Sequence, residues 1–404
     1  MLSFCTGKPV DHESPDAPRD VPGQRALLRL ADRFGKDAAF RRERLERSLV
    51  NWQNGYARSR LAHYTPDDWG RLPVAAFKTR PIRPSDIGKP VPTPDAAWTS
   101  VPSGSFPASP EGLKRRGEQM FTRFPAQVER AMISVLRKED GPARYGLWET
   151  DDSVGGLVWI ALPGGVYPAL TCATCHASVD ERGALRYGVP NHRIDLGKPK
   201  DDHTGTRSLY STWGRGRVDI AADGKDNPVV IADVRVVRYQ RYLHRTANIR
   251  SSLEALALRL ETGLIVAHRK VVRPDRKAAF SLAYYLWTLG DKFDPERSLR
   301  HSGRPVFERH CASCHQGPSH SGKPIPPAVI DSPVAKMGGA ARGTGKVRIP
   351  SLLGVSDRKR LLFGGEAAGI DGLLDPGRQE GGHFVGASLS AGERSAIRDY
   401  LSEL

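Results

Sequence analysis

The sequence predicts a mostly α-helical chain: two helical units with long loops, behind an N-terminal helical and proline-rich extension. Three observations carry this. Apolar residues recur at helical spacing in several segments, above all Ile249, Leu253, Leu256, Leu260 and Leu264. One five-residue pattern of cysteine and histidine occurs twice, 139 residues apart. Glycine (41) and proline (31) are plentiful, which predicts much irregular chain between helices.

The bulk properties narrow the classes. A length of 404 residues suits two or three domains, and 39% hydrophobic with 26% charged residues is a globular balance. No run of about 18 apolar residues occurs, so no transmembrane helix is expected. The net charge of +16 points to an anionic surface or an acidic partner. It is spread along the whole chain without a basic block, which argues against nucleic acid as that partner.

The elements follow in order. Residues 1–23 are polar and proline-containing and read as a disordered lead-in. Gln24 to about Asn51 reads as one charged helix with Leu27, Leu30, Ala31, Phe34, Leu45 and Leu49 on its apolar face. Pro66 to Pro110 is dense in proline and reads as an extended wrap or linker, completing an N-terminal extension over 1–111. Gly112–Phe124 is a predicted helix containing Gly117, Met120 and Phe121, and Val128, Met132, Ile133 and Leu136 predict a second. Leu157–Leu162 is strand-like, and Asn227–Val237 holds a short extended piece. Arg250–Val266 is a core helix, and Phe280, Ala283, Tyr284 and Trp287 mark another that ends at Gly290. These elements make a first unit over 112–295 and a second over 296–404. The second closes with Ser390 and Glu393 in a capping box before Ile397, Tyr400, Leu401 and Leu404.

The repeated pattern carries the chemistry. It reads Cys172-Ala173-Thr174-Cys175-His176 and Cys311-Ala312-Ser313-Cys314-His315. C-x-x-C-H is the attachment signature of c-type haem. Chance would supply one copy roughly 0.002 times in this composition, so two copies are a signal. On a helical turn, positions i, i+3 and i+4 share a face. Two thiols can then meet the vinyl groups of one porphyrin, and the next imidazole can lie under its iron. The expected cofactors are therefore two covalently attached haem c groups. A Cys₄ zinc site and two disulfides are the alternatives, but zinc pairs usually lie about 15–20 residues apart.

Covalent haem attachment implies assembly outside the cytoplasm, hence a periplasmic or otherwise exported protein. Met1–Val10 shows no basic n-region and no apolar h-region, so a signal peptide is not visible. Cys5, after Leu2-Ser3-Phe4, resembles the end of a lipoprotein signal and is a candidate lipid anchor; the alternative is a free cysteine in a frayed tail.

Two such motifs in one chain resemble the bacterial di-haem cytochrome c peroxidase superfamily, which includes MauG-type enzymes and the rubber oxygenases. Ile349-Pro350-Ser351-Leu352-Leu353-Gly354-Val355 is similar to that family's "vPsLrgv" segment, and Leu361-Leu362-Phe363-Gly364-Gly365 stands where it has "PYfHdG". The likeness covers about residues 112–404. It implies two cytochrome c-like domains, with a reactive N-terminal haem and an electron-supplying C-terminal one.

The resemblance also implies site residues. His192, sixteen residues after His176, stands at the place of a displaceable ligand of the first iron; the alternative is a loop histidine. Trp213 resembles the tryptophan between the two haems; the alternative is a packing role beside the first. Arg215 and Arg217 are candidates for haem propionates, since arginine forks match carboxylates; the alternative is a solvated loop. His383, in Gly381-Gly382-His383-Phe384-Val385-Gly386, resembles a "GHeFG" segment and is the expected second ligand opposite His315, with Met337 as runner-up. The family's peroxidatic glutamate is replaced here by Val230, leaving Asp233 and Glu261 as weak candidates for an acid–base group.

Three functions stay open: an electron carrier, a hydrogen-peroxide reductase, and an oxidase or oxygenase on an organic substrate. The basic charge suits a small acidic redox protein as donor or acceptor.

Overall fold

The computed structural model describes residues 22–63, 69–204, 209–219, 227–332 and 343–404. Cys5 and Met337 lie outside the described residues.

The N-terminal segment forms three helices, α1 (Gln24–Lys36), α2 (Ala38–Ser48) and α3 (Gly55–His63). The single helix expected over 24–51 is broken at Asp37. Its backbone is extended, and its carboxylate caps the next helix by accepting from the Phe40 N–H at 2.8 Å. An N-cap aspartate satisfies donors that a continuous helix would bond internally. Leu27, Ala31 and Phe34 of α1 are buried, and Phe34 meets Phe280 at 5.6 Å between ring centroids.

The expectation of a mostly α-helical fold of cytochrome c-like units is overturned by a five-stranded antiparallel sheet. Its strands are β1 (Phe77–Pro81), β2 (Thr99–Val101), β3 (Gln127–Val128), β4 (Val158–Leu162) and β5 (Gly165–Leu170), in the order β2-β1-β4-β5-β3. Five further two-stranded ladders accompany it. β4 and β5 form a hairpin through Pro163-Gly164, with Gly164 at φ 93°, a conformation glycine tolerates. The proline-dense stretch supplies β1 and β2 rather than a linker alone. Residue pairs Thr79↔Ile160 and Phe77↔Val101 set its register. Val128 belongs to β3, so the helix expected around it shrinks to Met132–Leu136.

A helical layer adjoins the sheet. It contains α4 (Pro110–Arg123), α5 (Leu253–Ala267) and α6 (Arg276–Thr288). Ser109, Ser252 and Asp275 cap them through side-chain oxygens. One buried cluster joins α1, α2, α4, α5 and α6 through Phe34, Phe40, Phe121, Leu256, Phe280 and Trp287. The crossing of α4 with α6 depends on Gly117. A Cβ there would overlap the Ser281 carbonyl oxygen and lie 2.5 Å from the Tyr285 Cβ.

The C-terminal part repeats that device on a smaller scale. α7 (Arg304–His310) crosses α8 (Ala391–Glu403) at Gly303, where a Cβ would overlap the Ala396 carbonyl. Phe307, Ile397, Tyr400 and Leu401 form the core there. α8 starts in the expected capping box: the Ser390 Oγ accepts from the Glu393 N–H at 3.3 Å, and the Glu393 carboxylate accepts from the Ser390 N–H at 3.0 Å. Among the described residues no helix is long and apolar enough to cross a membrane.

Gly117→Ala is expected to destabilise the protein by about 1–3 kcal/mol, because backbone rather than a flexible side chain blocks the new methyl. Gly392→Ala, in α8 with nothing within 4 Å of the added Cβ, is expected to be neutral or stabilising by up to about 1 kcal/mol. Urea unfolding midpoints of the two variants check both; equal midpoints would remove Gly117 as the crossing constraint.

Candidate functional site

The two cysteine–histidine motifs sit on tight turns held by their neighbours. Cys172–His176 is a single helical turn. Thr171 Oγ1 donates to the Gly156 carbonyl at 2.7 Å, and Thr174 Oγ1 accepts from the Thr171 N–H at 3.0 Å. The chain then folds back, with the Asn191 N–H on the Cys175 carbonyl at 2.9 Å and the Gly188 N–H on the His176 carbonyl at 2.7 Å. The second motif continues α7: the Cys311 N–H donates to Phe307 and the His315 N–H to Cys311, at 2.8 and 2.9 Å.

The four cysteines are free thiols, each partly accessible. Burial nonetheless pushes Cys172 and Cys311 up to about 11 and Cys175 up to about 12. They are therefore neutral near pH 7, unlike activated thiolates. The two pairs border separate apolar clusters, and among the described residues no group of three or more His, Cys, Asp or Glu side chains is placed to hold a metal ion. Four thiols around one zinc thus have no geometric support.

The two motif histidines share one arrangement. The Nδ1 of His176 lies 2.9 Å from the Ala232 carbonyl, and that of His315 lies 3.1 Å from the His320 carbonyl. A carbonyl at Nδ1 fixes the tautomer and leaves Nε2 as the outward lone pair, the state that ligates a metal. Burial lowers both pKa values, that of His315 to about 4, so the neutral form prevails near pH 7.

His383 faces His315. Their ring centroids are 6.4 Å apart and the planes cross at 81°. Two metal–imidazole bonds of about 2.0–2.1 Å each, plus the distance from each ring centre to its nitrogen, sum to roughly 6–6.5 Å. The separation is the one that two imidazoles would need to hold a single metal ion between them. The strand-like turn around His383 is fixed by its neighbours. His383 has φ 55°, Gly381 and Gly382 have φ 83° and 71°, and the His383 N–H donates to the Ile330 carbonyl at 2.6 Å. Arg378 holds the same turn by donating to the Gly382 and His383 carbonyls at 2.8 and 2.7 Å. The Nδ1 of His383 is buried with no hydrogen-bond partner. Within the described residues, then, the donors fit a haem at the second motif: Cys311 and Cys314 for the thioethers, His315 and His383 for the iron. Cys172, Cys175 and His176 present the matching set at the first.

The remaining sequence candidates fall elsewhere. His192 makes no ring contact with His176 among the described residues. Its Nε2 accepts from the Lys359 N–H at 3.2 Å, and burial, then Arg360, push its pKa down to about 4. Trp213 packs with Ile194, Leu196 and Val218 in the cluster that Cys175 borders, edge-on to Tyr210 at 5.2 Å. Arg215 donates to the Arg193 and Arg144 carbonyls at 2.8 and 2.9 Å, and Arg217 to the Thr212 carbonyl at 3.0 Å. They clamp loops. Glu261 is fully buried in α5 and pairs with Arg276 at 2.9 Å.

Asp233 belongs to a network the sequence does not announce. Its carboxylate takes Arg235 Nε at 2.9 Å and Nη2 at 2.5 Å, and Arg358 Nε at 3.4 Å. Arg235 also reaches Asp357 at 2.5 Å, and Arg186 grips Asp357 with both Nη atoms at 3.0 and 2.7 Å. Asp233 follows Ala232, whose carbonyl lies behind the His176 ring. Its carboxylate is thus engaged by arginines close to His176, whose pKa it raises. No local pattern marks these residues; Arg235 and Asp357 are 122 positions apart.

No protein-family model, curated protein or solved structure matches the chain.

Asp233→Asn is expected to cost about 3–5 kcal/mol, because it strips the main counter-charge from a buried guanidinium. Arg215→Ala is expected to change stability by less than about 0.5 kcal/mol. Chemical denaturation checks the contrast. Asp357 gives a pH signature: Arg186 and Arg235 outweigh its burial and hold its carboxyl down to about 2. Its contribution is full above the ordinary carboxylate value of about 3.9 and lost as pH falls through about 2. Asp357→Asn is expected to flatten the stability loss across that window; an unchanged acid-unfolding profile would refute the pairing.

Proposed function

We propose that the protein is a di-haem c-type cytochrome, assembled outside the cytoplasm, that passes electrons through two covalently bound haems. The observation that carries this is the spacing of His315 and His383 across one iron-sized gap, beside the Cys311 and Cys314 pair. Haem iron supplies one-electron redox chemistry, and a bis-histidine site keeps it six-coordinate and low in potential relative to histidine/methionine ligation. The chain's own part is to fix both imidazoles, His315 through the His320 carbonyl and His383 through the turn that Arg378 clamps. Repeated C-x-x-C-H motifs support a second haem on Cys172, Cys175 and His176. The resemblance to di-haem peroxidases supports the same reading.

One observation favours a second reading, that of an enzyme acting at the first haem. Among the described residues no imidazole faces His176, so the first iron is expected to keep a position open to a small ligand. Peroxide reduction also asks for an acid–base group within hydrogen-bond reach. Asp233 and Glu261 are both committed to arginines, which favours slow turnover. The net charge of +16 supports an acidic redox protein as partner.

The experiment is an optical and EPR redox titration of the exported protein. Two haems are expected by pyridine haemochrome, one of them low-spin with no thioether-to-iron charge-transfer band. His383→Ala is expected to turn that haem high-spin, and an unchanged low-spin signal would sink the ligand assignment. Carbon monoxide is expected to bind the reduced protein at one haem, the first. Binding at neither would leave the pure carrier and remove the enzyme reading. Electron transfer with an acidic partner is expected to slow as ionic strength rises; a flat response would refute the steering argument.

A further inference from the structure

The two motif regions meet around a group of arginines that has too little negative charge. Arg348 lies on the strand Val347–Ile349, which pairs with Gly322–Ile325. Gly322 packs so tightly that a Cβ would overlap the Cys314 carbonyl, which places this ladder directly against the second motif. The next residue, Pro350, presents its carbonyl to the His315 ring. Arg245 is bound to the same ladder, its carbonyl accepting from the Arg348 N–H at 2.8 Å. The Arg245 guanidinium lies over the Phe363 ring at 5.2 Å and donates to the Val230 and Leu362 carbonyls at 2.5 and 3.4 Å. Arg358 closes the group, donating to the Ser351 and Leu353 carbonyls at 3.2 and 2.7 Å.

Asp233 answers Arg358 at 3.4 Å and Glu366 pulls on Arg245 from beyond ion-pair distance, but the charges are only partly answered. Arg348 has a single side-chain hydrogen bond among the described residues, to the Tyr242 carbonyl at 3.3 Å. Neither Arg245 nor Arg348 has a carboxylate within 4 Å among those residues. A guanidinium carries five donors, so most of theirs are unused. Burial, then repulsion from Arg245 and Arg358, pushes Arg348 down to about 9; burial outweighs the pull of Glu366 and, with Arg358, pushes Arg245 down to about 10. Like charges crowded at depth are costly unless an anion is held between them. All three side chains keep partial access, so they face a recess rather than a closed core.

We infer that Arg245, Arg348 and Arg358 form the carboxylate cradle of the C-terminal haem and receive its two propionates. The inference rests on the haem reading above. Each haem carries a carboxylate pair on the porphyrin edge opposite its vinyl groups. Arginine forks bind carboxylates bidentately, and the stacked Arg245 plane is pre-set for it. The result is a fixed positive field beside the second iron. That field favours the ferrous over the ferric state and raises the potential above that of an otherwise equal bis-histidine site.

The test uses the full chain matured with its haems. Pyridine haemochrome on the wild type comes first: fewer than two haems per chain would end the haem reading itself. With two haems present, Arg348→Gln, Arg245→Gln and the double variant are titrated by optical spectroelectrochemistry. Haem content is expected to stay at two, because the thioethers hold the porphyrin. The low-spin haem's midpoint potential is expected to shift downward, furthest in the double variant. Arg348→Lys, which keeps the charge and is the milder change if the double variant does not fold, is expected to stay near the wild type. The propionate bending bands in the resonance Raman spectrum are expected to move in the Gln variants and to stay in Arg215→Gln. Two haems with an unmoved potential and unmoved bands in the Gln variants would overturn the inference. A wild-type potential that depends on added phosphate, with that dependence lost in the variants and no shift in phosphate-free buffer, would assign the recess to a free anion and overturn it too.

Discussion

Arg235 is fully buried, and its charge has to be balanced where it sits. Asp233 answers it from two positions earlier in the chain and Asp357 from the far C-terminal part. A buried guanidinium left with one partner removed is strongly destabilising, so this pairing fixes the approach of the two motif regions to within hydrogen-bond tolerance. Much else follows from it. Ala232 is held with its carbonyl behind the His176 ring. The turn at Gly354 is pinned by its carbonyl on Arg235 at 3.4 Å, and Arg186 is drawn onto Asp357. The first imidazole and the segment that leads into the second half thus share one electrostatic anchor.

Around this anchor the chain uses the same local devices twice. α4 crosses α6 at Gly117, and α7 crosses α8 at Gly303; in both places backbone occupies the space a side chain would need. The second crossing sets the direction from which Cys311–His315 emerges, since that motif continues α7. Each motif histidine then meets a backbone carbonyl at Nδ1. Side-chain partners can rotate away, whereas a carbonyl in a packed turn cannot. The ring orientation is therefore a property of the fold and not of a rotamer choice.

The sequence made these local features readable and hid the distant ones. The Leu253–Ala267 helix, the Ser390 capping box and the two motifs all follow from residues within a few positions of each other. The sheet did not show because β1 is Phe-Lys-Thr-Arg-Pro, which lacks clean alternation and sits among prolines. Its pairing with Val158–Leu162 joins residues as far apart as Thr79 and Ile160. The hairpin cue, Pro163-Gly164, was present in the sequence. The split at Asp37 was readable too, as an aspartate three residues before Phe40. His192 illustrates the opposite case. Its distance from His176 along the chain is suggestive, but spacing does not say which way a loop turns, and here the ring turns to the Lys359 N–H. The arginine recess had no local signal, because Arg245, Arg348 and Arg358 come together through tertiary packing.

The two motif sites differ in a way that bears on direction. The second imidazole at 6.4 Å closes one side of the C-terminal site, so under the proposed reading that iron changes charge with little change in coordination. Small reorganisation suits fast electron transfer. The first site has its imidazole fixed from behind and no facing imidazole among the described residues. Charge accumulation at such an iron favours binding of a small ligand. The ion network between them joins the His176 side to the arginine recess through Asp233 and Arg358. A change of charge at either site is therefore felt at the other through fixed dipoles and ions, with no moving part required.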